Sequence, residues 1–264
     1  MNREFLIFTN FLWRDLFTYL KSKQIKRYII NYSLIYPTLF SISYGYIIPN
    51  TCFDPSKLPA TAVMLTGTII SAILSLVIAT NIFMLVDLES DQFTKYQATV
   101  LRPNLLVLEK IVFSSLFSFF LLLPFFAISK LLLFKSFDTT HLSIIKFLIV
   151  LYLSTLAVSS YALLAMLNMS GTHVMGRWWR RFNFPLVMLG GAWVPWMFMQ
   201  KASPLLAYII LVNPFLYITE GIRGAILGNG IYIPFIYCIS ALSFATIIFT
   251  YFCFVSFKKR IDHI

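Results

Sequence analysis

Six stretches of this chain, residues 28–53, 58–86, 111–129, 147–176, 182–200 and 224–257, each run at least 19 residues with no Asp, Glu, Lys or Arg. A helix needs about 20 mostly apolar residues to cross the hydrocarbon core of a bilayer. Windows this long and this free of charge cannot be wrapped into a soluble core and still leave a wettable surface. The composition agrees: 59% of residues are hydrophobic, 12% are charged, and the mean hydropathy is +0.81. A soluble domain carries about 25% charged residues. A soluble enzyme, a secreted disulfide scaffold and a disordered tail are excluded together. With loops, a chain of this length holds about six or seven spans and leaves no room for a soluble domain. The expected fold class is an all-α integral membrane protein with six transmembrane helices. An N-terminal amphipathic helix and external re-entrant helices before the last span complete it, in a single domain over 1–264.

The pattern along the chain places these parts. Residues 2–24 read as an amphipathic helix, with Phe5, Phe8, Leu12, Leu16 and Tyr19 at spacings of three and four. Arg3, Asn10, Arg14, Thr18 and Lys21 fall opposite. Such a helix is expected in the interface plane, its aromatic face toward the acyl chains. Nothing in residues 2–27 has the form of a cleavable signal peptide. Spans are expected at about 28–48, 59–86, 105–128, 144–167, 182–199 and 231–255. The fifth block is interrupted by Pro185, Gly190, Gly191, Pro195, Pro204 and Pro214, which one straight helix cannot carry. It is read as a span to about Met199 followed by re-entrant helices over 200–227. Non-helical backbone at that depth survives only where protein or water covers it.

The net charge of +11 would suggest nucleic acid in a soluble protein. Here it reads as orientation, and nucleic acid is not an expected partner. Fifteen of the 21 Lys and Arg residues fall in the N-terminal segment, 87–110, 168–183 and the tail. The positive-inside rule then puts both termini in the cytoplasm.

Catalytic patterns are missing. No Gly is followed by Lys, so no phosphate-binding loop exists. His141, His173 and His263 have no metal-ligand spacing, and no GxSxG occurs. Cys52, Cys238 and Cys253 are scattered and read as inert thiols. Catalytic residues and metal ligands are therefore expected to be none. The charges singled out at membrane depth are Glu220 and Arg223, three apart on one helical face and able to pair. A proton-coupled carrier would need more carboxylates there, so the energy source is expected outside the chain.

Two stretches resemble a family. Asn213-Pro214-Phe215-Leu216-Tyr217-Ile218-Thr219-Glu220-Gly221-Ile222-Arg223-Gly224-Ala225-Ile226-Leu227-Gly228 resembles the signature of ABC-2 type exporter permeases. There an Asn-Pro pair precedes a Tyr, an acidic residue, an Arg and a closing Gly near the last span. Gly191-Ala192-Trp193-Val194-Pro195 followed by Ser203-Pro204 resembles the same motif's lead-in. Asp87, Glu89, Asp91, Phe93, Thr94, Leu101, Pro103, Val107, Leu108, Glu109 and Lys110 resemble the cytoplasmic segment between the second and third spans. This chain has Phe93-Thr94 where many members have Gly-Thr, and Glu109-Lys110 without the glycine.

The resemblance implies the transmembrane subunit of an ATP-driven exporter in a bacterial inner membrane. It would pair with a second permease chain, as a homodimer, and with a separate ABC ATPase that holds ATP and Mg. The chain itself would carry no cofactor and would be no enzyme. Segment 87–103 would be the coupling helix, through Asp87, Glu89, Asp91, Lys95 and Arg102. Asn213, Pro214, Tyr217, Glu220 and Arg223 would form the external gate, with Asn213 as a helix cap and Pro214 in the first turn. Glu220 and Arg223 would pair locally or across the dimer. Gly224 and Gly228 form a GxxxG that permits close helix approach.

Tyr32 and Tyr36, at i and i+4 in the first span, are pathway candidates that could stack on sugars. Arg177-Trp178-Trp179-Arg180-Arg181 reads either as a positive-inside anchor or as a contact for a phosphate-bearing head group through Arg177, Arg180 and Arg181. The expected substrate is a lipid-linked or polymeric glycan. A small hydrophobic drug or lipid is the alternative, and a non-transporting scaffold or channel a third reading.

Overall fold

The computed structural model describes residues 3–31, 35–42, 60–89, 103–133, 141–228 and 232–262. About 88% of the described residues are helical, with no strand among them. The helices are α1 (Arg3–Lys21), α2 (Lys23–Ile30), α3 (Tyr36–Ile42), α4 (Ala60–Glu89), α5 (Pro103–Leu133) and α6 (Ile144–Leu167). Then come α7 (Met175–Trp178), a π-helical turn at Trp179–Asn183, α8 (Phe184–Leu189), α9 (Trp196–Ala202), α10 (Pro204–Ile210), α11 (Pro214–Leu227) and α12 (Phe235–Asp262).

Three described helical stretches are long and apolar enough to cross a membrane: Asn104–Leu131, Ile144–Leu167 and Phe235–Arg260. The pair Pro204–Ile210 and Pro214–Leu227 makes a fourth if counted as one broken span, bent by 98°. The chain thus has the character of a membrane protein, with three to four candidate spans among the described residues where six were expected. The expected 28–48 span falls partly on residues 32–34 and 43–48, outside the described residues. What is described there is two short helices, α2 and α3. The expected fifth span over 182–199 is not one helix. Pro185 has no N–H to continue an α repeat, and the Gly190–Pro195 stretch separates α8 from α9.

Helix α6 is the axis of the bundle and packs against α4, α5, α11 and α12. Its small residues Ala157, Ser159, Ser160 and Ala162 are buried and let neighbours come close. Ser159 Oγ donates to the Ile111 carbonyl at 3.1 Å, and Cys253 Sγ to the Ser160 carbonyl at 3.3 Å. Both described cysteines, Cys238 and Cys253, are free and buried. In the crossing windows α6 is 61% buried and α12 only 17%. Helix α12 therefore leaves Tyr237, Phe244, Ile247 and Tyr251 exposed, at spacings of three, four and seven, as a stripe for lipid or another chain.

The bundle has two chemically different ends. At one, Val107 and Ile111 of α5 pack with Leu163 and Leu167 of α6 and Phe257 of α12. Arg260 Nη1 donates there to the carbonyls of Leu167 (2.9 Å) and Met169 (3.0 Å), satisfying the end of α6. At the other end the Ser143 N–H donates to the Ala225 carbonyl (2.9 Å), and Gly228 lies beside His141. The start of α5, residues 168–181 and the end of α12 therefore share one end. These are three of the four cation-rich segments picked out by counting Lys and Arg.

Helix α1 corrects the expected interfacial face. Leu12, Leu16 and Tyr19 do not face outward: they pack against Phe113 and Phe117 of α5. A second row, Leu6, Trp13, Phe17 and Leu20, is exposed instead. The helix has two apolar faces, one for protein and one uncovered, and the spacing of Leu12, Leu16 and Tyr19 alone does not say which is which.

Candidate functional site

The Asn213–Gly228 stretch folds around a break in the backbone. Asn213 is the N-cap of α11: its Oδ1 accepts from the Phe215 N–H at 3.1 Å and its Nδ2 donates to the Leu186 carbonyl at 2.7 Å. Pro214 occupies the first turn, where its missing N–H costs nothing. One turn further, Thr219 Oγ1 donates to the Gly190 carbonyl at 2.7 Å. Tyr217 OH donates to the Leu211 carbonyl at 2.8 Å.

Glu220 and Arg223 complete the arrangement. Both are fully buried, and Arg223 Nη1 donates to Glu220 Oε1 at 2.9 Å. The same Oε1 accepts from the Trp196 N–H at 3.1 Å, and Oε2 accepts from the Ile233 N–H at 3.4 Å. Arg223 Nη2 donates to the carbonyls of Gly191 and Ala192. The carboxylate thus serves N–H groups at the starts of α9 and of the segment leading into α12. The guanidinium serves carbonyls that the break at Gly190–Pro195 leaves without helical partners. A freed backbone group in a low-dielectric setting must find such a partner. The pair forms within the chain.

The break is also tightly covered. A Cβ on Gly67 of α4 would lie 2.3 Å from the Ala192 carbonyl oxygen. Gly191 has φ +73°, a left-handed conformation that suits glycine. Replacing Gly67 with Ala should force α4 off the break and destabilise the protein by about 1–3 kcal/mol, read as a lower melting temperature; an unchanged melting temperature would contradict this packing. The expected GxxxG contact is not made. A Cβ on Gly224 would meet nothing within 4 Å, and Gly228 is the helix C-cap with φ +82°. The close approach is at Gly221, where a Cβ would come within 3.2 Å of Cys238 and Val150.

A second charged cluster was not anticipated. Lys110 at the start of α5 is ion-paired with Asp15 of α1, and its Nζ lies 3.5 Å from Glu109 Oε2. All three residues are buried. Arg14 Nη2 reaches Asp15 Oδ1 at 2.8 Å from a half-exposed position. Tyr19 adds a hydrogen bond from its OH to the Thr80 carbonyl of α4. Thr80 Oγ1 and Asn81 Nδ2 each meet Ser114 Oγ at 2.8 Å, joining α4 to α5. Charge at depth is therefore not confined to Glu220 and Arg223. The signal was present: Asp15 sits three residues after Leu12 and four before Tyr19, a carboxylate on the apolar face of the helix.

Of the expected coupling residues, Asp87 and Glu89 fall in the last turn of α4, while Asp91, Lys95 and Arg102 lie outside the described residues. Tyr32 also lies outside them, and Tyr36 opens α3 at 44% exposure. Arg177 and Arg181 line one cavity, and Arg180, also exposed, does not. No group of His, Cys, Asp and Glu able to hold a metal occurs among the described residues.

A cavity of about 760 Å³ opens beside the Glu220–Arg223 pair, lined by Trp196, Gln200, Tyr217, Tyr232, Tyr237 and Phe244 among others. The Trp196 indole N–H is spent on the Ala207 carbonyl at 3.0 Å. Burial holds the Tyr232 phenol above its ordinary range, so it stays protonated and able to donate. No family model, curated protein or solved structure matches this chain.

Proposed function

We propose that this chain is the transmembrane subunit of an ATP-driven exporter of the ABC-2 type, acting as a dimer with separate ATPase chains. The observation that carries the reading is the brace just described. The residues that resemble the permease signature do one job together, holding the interrupted backbone at Gly190–Pro195, between α6 and α12. An anchor or scaffold has no use for such a break, whereas a pathway that opens does. The missing phosphate-binding loop leaves hydrolysis to a partner. The segment from Asp87 to Arg102 would meet that partner, at the cation-rich end of the bundle, in the cytoplasm of a bacterium.

The preferred substrate is a lipid-linked or polymeric glycan. Sugars are held by aromatic faces together with hydroxyl and amide groups. The cavity lined by Trp196, Tyr217, Tyr232, Tyr237 and Gln200 supplies both. Affinity purification from native membranes should recover a P-loop ATPase with this chain. Glu89→Ala should lower ATP-dependent transport without changing membrane insertion. Recovery of the chain with no ATPase, or full transport by the Glu89→Ala variant, would remove the coupling assignment.

A further inference from the structure

The basic turn after α6 covers a cavity of its own. It measures about 730 Å³ and lies between the C-terminal end of α6 and the turn that carries Arg177 and Arg181. Its lining divides into two halves. Asn168, Ser170, Arg177 and Arg181 supply polar and cationic groups. Leu164, Met169, Val174, Phe182 and Leu186 supply apolar surface, with Tyr161 and Trp178 between. No acidic residue lines the cavity, and neither arginine has an ion pair or hydrogen bond among the described residues.

Arg177 lies in the last turn of α7, and the turn that follows and presents Arg181 is held in an uncommon conformation. Residues Trp179–Asn183 are π-helical, and the Phe184 N–H donates to the Trp179 carbonyl five residues back. Short π segments recur at functional positions because they cost stability and persist only where the surroundings hold them. Here Asn183, fully buried, accepts from Tyr161 OH at 2.9 Å, which pins the turn to α6. Tyr161 itself lines the cavity, so the bond fixes the roof relative to the wall. Unpaired guanidinium groups match phosphate oxygens in charge and planar geometry.

We infer that this cavity binds a phosphate-bearing amphiphile, with Arg177 and Arg181 on the phosphate and the Leu164–Leu186 surface on the chain. The cation-rich end of the bundle is where such head groups concentrate. The inference does not depend on the exporter reading, since a resident lipid and a transported one share this chemistry. Arg180 supplies a control of equal charge in the same turn, because it lies outside the lining.

The test is native mass spectrometry of the detergent-purified full chain with added dioleoyl phosphatidylglycerol or farnesyl phosphate. Arg177→Gln combined with Arg181→Gln should weaken retention of at least one amphiphile about tenfold or more, and Arg180→Gln less than about threefold. Ala165→Phe, which fills the apolar half while keeping both arginines, should also abolish it. Retention of only phosphatidylglycerol, or only farnesyl phosphate, supports the site and identifies the source as bilayer lipid or carrier lipid. Equal loss in the Arg180→Gln variant would overturn the inference, since the effect would then be diffuse surface charge. Inorganic phosphate competing as well as the amphiphiles would overturn it too, by removing the apolar half.

Discussion

Replacing Arg223 with alanine is expected to give the largest loss of stability of any single substitution in the chain. Arg223 sits fully buried with Glu220 at 2.9 Å and also serves the Gly191 and Ala192 carbonyls. Its removal leaves a buried carboxylate without its counter-charge and two carbonyls without donors. Breaking a buried pair from one side costs about 3–5 kcal/mol. For a chain of this size that lowers the melting temperature by about 6 °C or more. Arg223→Lys should fall between, because a single ammonium cannot reach Glu220 and both carbonyls with the reach of a planar fork. Glu220→Gln keeps an acceptor for the Trp196 N–H and should cost less than Arg223→Ala. Thermal unfolding in detergent orders the three variants. An Arg223→Ala protein that melts with the wild type would mean that the break at Gly190–Pro195 is held by something else.

The second large effect is expected at Lys110. One ammonium group faces two buried carboxylates, Asp15 on α1 and Glu109 beside it. Lys110→Met leaves Glu109 without its counter-charge and Asp15 with the half-exposed Arg14 alone, whereas Asp15→Asn leaves Lys110 paired with Glu109. The lysine variant should therefore be the worse by about 1–3 kcal/mol. The failure should be local as well as global. Helix α1 is fastened to the bundle by this ion pair, by Tyr19 on Thr80 and by the Leu12, Leu16 and Tyr19 contact with α5. Limited proteolysis should then cut near Ser22, where the helix is interrupted, faster in Lys110→Met than in Asp15→Asn. The triple change Asp15→Asn, Glu109→Gln, Lys110→Met removes all three charges and should recover part of the loss. Equal cleavage rates in all variants would show that α1 is held by its apolar face alone.

Much of this architecture is legible in the residues, and the illegible part has a physical cause. The fourth span, 144–167, agrees with α6 to the residue because Ser143 and Asn168 cap a mostly apolar run that no Pro or Gly interrupts. Asn213 and Pro214 announce a helix start, and the i,i+3 spacing of Glu220 and Arg223 announces their pairing. What the pair holds was not legible, because its partners at Gly191, Ala192 and Trp196 are about 30 residues away in sequence and are backbone atoms. The Gly224–Gly228 pattern misled because a GxxxG does not say which glycine meets a helix: Gly228 meets His141, outside any helix, and Gly221, inside no pattern, meets α6 and α12. The fifth span failed for a related reason. Apolar composition at 182–199 marks depth in a bilayer, but Pro185, Gly190, Gly191 and Pro195 decide that the backbone turns there. On α1, period alone showed one apolar face, and only the position of Phe113 and Phe117 shows which residues that face is for.

The central claim is that this chain forms a pathway driven by a partner's ATP hydrolysis. The most direct test is transport into inside-out vesicles containing this chain and its co-purifying ATPase, with a labelled lipid-linked glycan outside. The account predicts uptake that requires ATP and both chains, and that falls with Glu89→Ala. No ATP-dependent uptake of glycan, lipid or hydrophobic drug by vesicles containing both intact chains would contradict it.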